Sequence, residues 1–462
     1  MQGGVIVRRA ENRGFFRELM RIVFPIAMQS LLSSLVSASD ALMLGFLDQN
    51  SLSAISLAAQ VQFVLSLFQA AFMIGAGVLA AQYWGIRDRD TVERVLGLSL
   101  RASVPVSALF FLLGLLAPGA LMRCFTPDTA LIALGVPYLR IVSVTYLLTG
   151  VSQMYLNIMK NSGRVSRASA YASAAVIINI LLNLVLIFGW LGLPAMGIRG
   201  AAVATVISRG MEFLLCLLEN RRKGVVKLRL PYFLHADGVL QRRYWKHTAP
   251  VLANEIAWGG GFTMFSVIMG HLGGDAVAAN SITGILKNIL TCFSTGLGAG
   301  SGILLGNLLG AGELERAKDY SRRLIRASLV FGAAAGTLLL AALPGVLHFS
   351  DSLTDTAREY VKYMGFISAY YVVGRSLNGV LIEGTFCAGG DTRFGFICDL
   401  INMWVFIIPL ASLAAFVLKW PVMAVYFILH LDEIGKIPFE IAHYRKYKWL
   451  KNLTDTEKGE TA

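Results

Sequence analysis

Asp40 lies inside a 26-residue apolar run, IVFPIAMQSLLSSLVSASDALMLGFL (22–47), seven residues before its end. A run of that length is enough to cross ~30 Å of hydrocarbon as a helix. A carboxylate at its centre costs roughly 2.5 kcal/mol or more, so such an acid is kept where it faces a cavity, a partner or a bound ion. The other reading is that Asp40 reaches the outer headgroups. Asn179 and Asn183 lie four apart within IINILLNLVLIFG and share one helix face. Two amides and a carboxylate are the oxygen donors that a small cation such as Na+ takes. They serve equally to hydrogen-bond a protonated Asp40 or to join two helices.

A second set falls in the other half of the chain: Glu255, Lys287, Arg375, Asn378, Glu383 and Asp399, all within apolar segments. Glu255 reads either as a functional acid or as a buried structural hydrogen bond. Lys287 and Glu383 read as a buried charge pair. Glu255, Arg375, Asn378 and Glu383 are the candidates for a second coupling or substrate site. Gln60, Gln153 and Asn157 are expected to extend the polar interior around Asn179. Asp391 and Arg393, in CAGGDTRF, are expected to end one helix and cap the next. Phe68, Phe72, Met73, Trp258, Phe262 and Met264 suit a pliable site for apolar cations, although each taken singly suits plain packing.

The sequence holds no GxxxxGK[ST], HExxH or GxSxG, and its six histidines are dispersed. Direct use of ATP, enzymatic chemistry and a resident cofactor are therefore not expected. The five cysteines, Cys124, Cys216, Cys292, Cys387 and Cys398, form no CxxC and read as small core residues.

Of 462 residues, 56% are hydrophobic and 15% charged, against roughly 25% charged in soluble domains. That composition belongs to an all-α polytopic membrane protein. Twelve apolar segments are expected, near 19–47, 52–82, 94–118, 130–156, 166–190, 197–219, 246–272, 277–309, 324–347, 357–385, 394–417 and 420–443. Basic residues gather before the first segment, after the second, fourth and eighth, in the interval 220–247 and in the C-terminal tail. The positive-inside rule then makes both termini and that linker cytoplasmic, in a multi-pass protein of the cell (inner or plasma) membrane. It also assigns the net charge of +13 to contact with anionic lipid, and nucleic acid is not an expected partner. MQGGVIVRRAENRGFFREL has no A-x-A-like site, so no removable signal peptide is expected.

An internal repeat is visible. A shift of 225 places Pro25 on Pro250, Gly45 on Gly270, Ala54 on Ala279, Gly75 on Gly300, Gly77 on Gly302 and Gly85 on Gly310. Each unit has an even number of spans, so the repeat is parallel, with a pseudo-twofold axis along the membrane normal. The expected domains are a six-helix lobe at 1–219, a basic linker at 220–247 and a six-helix lobe with a basic tail at 248–462. Two such lobes enclose a central cleft and alternate by rocking. Under the same shift Asp40 meets Phe265 and Glu255 meets Ser30. The common fold demands neither acid.

These residues carry a resemblance. Pro25 with Asp40-Ala-Leu-Met-Leu-Gly45, Ala80-Ala-Gln-Tyr-Trp-Gly85, the run from Asn179 to Gly189, Gly197-Ile-Arg-Gly-Ala-Ala-Val-Ala-Thr205 and Ala388-Gly-Gly-Asp-Thr-Arg393 resemble, in order and spacing, the multidrug and toxic compound extrusion (MATE) antiporters. The resemblance implies export of organic, often cationic, compounds in exchange for Na+ or H+ entering the cell. It implies a first-lobe cation site at Asp40, Asn179 and Asn183, to which Thr205 is added, and a subgroup role for Glu255. Asn183 stands where some members carry Asp, and Ser376 where that subgroup has an acid. Small organic substrates and membrane lipids are the expected partners, and a monomer the expected state. The rival is a lipid-linked saccharide flippase of the same superfamily, against which stands the scarcity of buried basic residues in the first lobe.

Overall fold

The computed structural model describes residues 2–45, 49–192, 194–235, 237–348 and 353–454; the side chains of 2–13, 37, 38, 40–42, 44, 45, 49 and 191 are also outside the description. The described chain is helical and, among these residues, without strands. In order come α1 (Gln2–Gly45), α2 (Gln49–Gly85), α3 (Arg89–Leu116), α4 (Pro118–Arg123), α5 (Thr129–Val142), α6 (Val144–Asn161), α7 (Val165–Phe188), α8 (Ile198–Asn220), α9 (Leu230–Leu234), α10 (Gly238–His271), α11 (Gly274–Gly310), α12 (Leu314–His348) and α13 (Asp355–Asn378). A π-helical segment, Gly379–Phe386, continues α13. Then follow α14 (Thr392–Leu400), α15 (Ile408–Ser412), α16 (Val422–Leu429), α17 (Asp432–Gly435) and α18 (Ile437–Tyr444).

All twelve expected segments correspond to helical stretches. Nine helices among the described residues are long and apolar enough to span, and α5 with α6, bent by 44°, makes a tenth. Two segments do not qualify, 357–385 and 420–443, and both carry charges. The first carries Arg375 and Glu383; the second holds Asp432, Glu433, Lys436 and Glu440 and is broken into α16, α17 and α18. Gly435 and Pro438 flank the second break, where Pro438 lacks the N–H that a continuous helix needs.

Contacts divide the chain into two compact units, one of Met1–Leu31, Ala81–Arg87 and Ala253–Ala462, the other of Leu32–Ala80 and Asp88–Leu252. In the first unit Phe15, Leu19 and Val23 of α1 share a core with Leu297 and Leu304 of α11, Leu381, Phe386 and Trp449. In the second, Met43 shares a core with Ile55, Ile187 and Ala201.

Glycine contacts show the repeat in three dimensions. A Cβ on Gly85 would run into the Asn307 carbonyl, and one on Gly310 into that of Gln82. A Cβ on Gly75 would meet Thr248, and one on Gly300 would meet Val23. The 225-residue offset exchanges the partners in each case.

The basic interval is not loose. Val225 and Val226 are buried, the Lys227 N–H donates to Glu93 Oε1 at 2.9 Å, and Arg229 lies 2.7 Å from Glu93. Tyr232 donates to Asp90 at 2.5 Å. Glu219, 1% exposed, gathers Arg164 at 2.9 Å, Arg167 at 3.3 Å, Arg222 at 3.2 Å and the Tyr171 hydroxyl at 2.7 Å.

Candidate cation site and the broken last span

Helices α7 and α8 are adjacent because the chain between them turns back through Gly189 (φ 74°) and Gly197 (φ 53°), both in the left-handed region that glycine tolerates. The Met196 N–H donates to the Leu186 carbonyl at 2.9 Å, closing the turn. This brings Asn179, Asn183 and Thr205 together. The Asn183 amide donates to Asn179 Oδ1 at 3.3 Å, and the Asn179 amide donates to Thr205 Oγ1 and Ser208 Oγ, both at 3.4 Å. Thr205 and Ser208 donate their own protons to the carbonyls of Ala201 and Thr205, each at 2.9 Å. Asn179 and Asn183 are 7% and 2% exposed, so this oxygen-rich ladder sits in an apolar surrounding.

Asp40 lies on α1, and its side chain lies outside the described residues. Three residues further on, Met43 packs in the same core as Ile187, which follows Asn183 by one turn of α7.

The expected polar interior is only partly there. Gln153 is not part of the asparagine ladder. It donates to Glu212 Oε1 at 3.0 Å, where Ser152 also donates at 2.6 Å, and Arg209 pairs with the other oxygen at 2.8 Å. Asn157 donates to the Met73 carbonyl at 2.7 Å, and Gln60 is exposed. Glu212, fully buried one turn after Ser208, was not among the sequence candidates. Its signal was available: Ser208-Arg209-Gly-Met-Glu212 interrupts an otherwise apolar segment.

In the other unit the expected Lys287–Glu383 pair is not formed. Lys287 Nζ lies 3.0 Å from His430 Nε2 and over the Tyr371 ring, while Glu383 pairs with Arg375 at 3.1 Å. The reason is the π-helical turn that carries Glu383, which adds a residue per turn and sets it facing Arg375 eight positions earlier. Arg375 also reaches Glu433 at 3.5 Å. Lys436 lies 2.7 Å from Asp399 and 3.4 Å from Glu433. The carbonyls freed by the break are capped: Asn402 donates to that of Asp432 at 2.6 Å, and Asn378 to that of Glu433 at 2.5 Å. Asn378 also donates to Glu433 Oε2 at 2.6 Å, and Asn254 to Asp399 at 3.2 Å.

Ser376 is fully buried and donates to the Ser328 carbonyl at 2.9 Å. Asp391 precedes α14 without capping it. Its carboxylate faces His443 at 2.7 Å, a correction to the expected cap. Asp432, Glu433, Lys436 and Glu440 are not among the expected site residues, because length and apolar content present 420–443 as one span. HLDEIGKIPFE, with four formal charges in eleven residues, was the overlooked signal.

A model of the MatE family matches the chain twice, over residues 25–185 and 250–427. The chain belongs to the MatE family. The two matches start 225 residues apart, the offset at which the glycine contacts exchange partners. Among related proteins, the uncharacterized transporter YisQ of Bacillus subtilis is 22% identical over 440 residues, 94% of this chain and 95% of YisQ. The probable multidrug resistance protein NorM of Agrobacterium fabrum is 26% identical over 436 residues, 89% of this chain and 90% of that one. A NorM of Thermotoga maritima is 22% identical, covering 95% of this chain and 94% of its own. Among solved structures, an outward-facing multidrug resistance MATE family transporter of the MOP superfamily superposes with a TM-score of 0.85 at 16% identity, covering 93% of this chain and 95% of that chain. A MOP superfamily transporter from Pyrococcus furiosus superposes at 0.84, also at 16% identity, with the same coverage of each chain. The protein is thus a multi-pass, two-lobe helical membrane transporter of the MATE family, a family of transporters rather than enzymes.

Proposed function

We propose that this transporter exports small organic, often cationic, compounds from the cell in exchange for Na+ or H+, by alternating access across the cell membrane. The observation that carries the reading is the buried Asn183–Asn179–Thr205 ladder on α7 and α8, next to the core that holds Met43, three residues past Asp40. Membership of the MatE family and the NorM relatives named as probable multidrug resistance proteins support it. In this reading both termini are cytoplasmic, the protein works as a monomer in contact with membrane lipids, and no resident cofactor takes part.

Asp40, Asn179, Asn183 and Thr205 hold the coupling ion, either Na+ itself or a proton on Asp40 stabilised by the amides. Glu255, Arg375, Asn378 and Glu383 belong to a second coupling or substrate region. Ion and compound favour opposite states of the carrier, because a ligand without differential affinity shifts no equilibrium. The membrane potential contributes about 2.3 kcal/mol per charge per 100 mV.

The test is dye efflux from vesicles holding the purified protein, with sodium and pH gradients imposed separately. Efflux driven by one gradient and lost in Asp40→Asn is expected. An Asp40→Asn protein that pumps at the wild-type rate overturns the assignment.

A further inference from the structure

The broken last span gathers more carboxylates than cations. Asp399, Asp432, Glu433 and Glu440, with Glu383 and Glu255 beyond them, share their surroundings with three basic side chains, Lys287, Arg375 and Lys436. Arg375 serves Glu383 and Glu433, and Lys436 serves Asp399 and Glu433. Lys287 is held by His430, whose Nδ1 lies 3.0 Å from the Tyr426 carbonyl. That geometry puts the ring proton on Nδ1 and leaves Nε2 to accept from Lys287, so His430 is neutral and adds no positive charge.

Three carboxyl groups are left without a paired cation, Glu255, Asp432 and Glu440, and of these Asp432 and Glu440 are buried. Glu440 is 0% exposed, and among the described residues neither of its oxygens has a hydrogen-bond partner. Asp432 is 6% exposed, and its Oδ1 likewise has none. Glu440 lies within electrostatic reach of Asp399 and the Cys398 thiol on α14, and of Lys436 and Glu433 on its own span. The π-helical segment Gly379–Phe386, which also packs against α18, brings Glu383 as its one ionisable residue. Three residues past Glu440, His443 pairs with Asp391 at 2.7 Å. An ionised carboxylate in that place would lose its water with no donor in exchange, whereas a protonated one is uncharged. A metal ion does not fit: among the described residues no group of three or more His, Cys, Asp or Glu is placed to hold one, and the Lys436 ammonium already stands between the carboxylates.

We propose that Glu440, with Asp432 deeper in the same broken span, binds an exchangeable proton beside the tethered ammonium of Lys436, giving the transporter a proton site separate from the Asn179–Asn183 ladder. The inference rests on the transport reading only for what exchanges the proton. The bond made and broken is the carboxyl O–H, with the proton passed to and from water at the end marked by Asp391 and His443.

Infrared difference spectra of the full-length protein in lipid vesicles test it. The wild type is expected to show a protonated-carboxyl band at neutral pH that fades on alkaline titration and on addition of a transported dye. Glu440→Gln is expected to remove that component, and Asp432→Asn to shift its titration. In Asp40→Asn the component stays, so loss of efflux in that variant and loss of the band report on different sites. A wild-type spectrum without a protonated-carboxyl band, a band that neither titrates nor answers to dye, or an unaltered band in folded Glu440→Gln each overturns the proposal. The wild-type measurements decide it even where Glu440→Gln does not fold.

Discussion

Replacing Lys436 by Met keeps the stem of the side chain and removes only the ammonium. Asp399 and Glu433 then lose a partner at 2.7 and 3.4 Å. Side-chain exposures of 9% for Lys436, 17% for Asp399 and 3% for Glu433 mean that water compensates little. Breaking a buried pair from one side costs about 3–5 kcal/mol. Here Asn254 still donates to Asp399, and Asn378 and Arg375 still serve Glu433, which places the loss near the lower bound, about 3 kcal/mol. Against a typical total of ~5–15 kcal/mol that is a large fraction. Adding Asp399→Asn removes one stranded charge and is expected to recover roughly 1–2 kcal/mol, a coupling visible in a double-mutant cycle. Thermal unfolding of the purified protein reads all of this. A Lys436→Met protein as stable as the wild type, with no coupling to Asp399→Asn, would refute the reasoning.

The glycine exchange predicts paired effects: Gly85→Ala and Gly310→Ala each push a methyl into a carbonyl and are each expected to lower stability by about 1–3 kcal/mol in thermal unfolding. Thr205→Val removes the hydroxyl that accepts from Asn179 and is expected to weaken ion-gradient-driven efflux while leaving expression and melting within about 1 kcal/mol of wild type. Glu219→Gln keeps a group for Tyr171 but takes the charge from three guanidiniums; a loss of about 2 kcal/mol and faster proteolysis within 221–235 are expected.

How far the sequence could be read differed by element. Apolar length located most of the spans, because a bilayer imposes one thickness on all of them and composition records it directly; it is 357–385 and 420–443 that fall short of that measure. The 225-residue repeat was legible because glycines at close approaches tolerate no substitute, so Gly85 and Gly310 survived where surrounding side chains diverged. Asn179 and Asn183 were legible as a pair from their spacing alone. Their partner Ser208 was not, since nothing in the chain states which face of α8 turns toward α7.

The second half shows the opposite case. The sequence supplied Lys287, Arg375, Glu383 and Asp399 as charges in apolar surroundings, but their pairing depends on the helix phase. The π-helical turn at Gly379–Phe386 and the break around Asp432 change that phase in ways that a 3.6-residue period does not foresee. Lys287 therefore meets His430 instead of Glu383, and the run from Asp432 to Glu440 becomes a buried charge cluster instead of an apolar helix. Composition, periodicity and repeat by themselves determined a twelve-segment, duplicated membrane carrier with acids it could not hold for architecture alone. Which acid faces which cation was decided only by tertiary packing, because a charge in hydrocarbon is stabilised by neighbours a few ångströms away that the order of residues does not name.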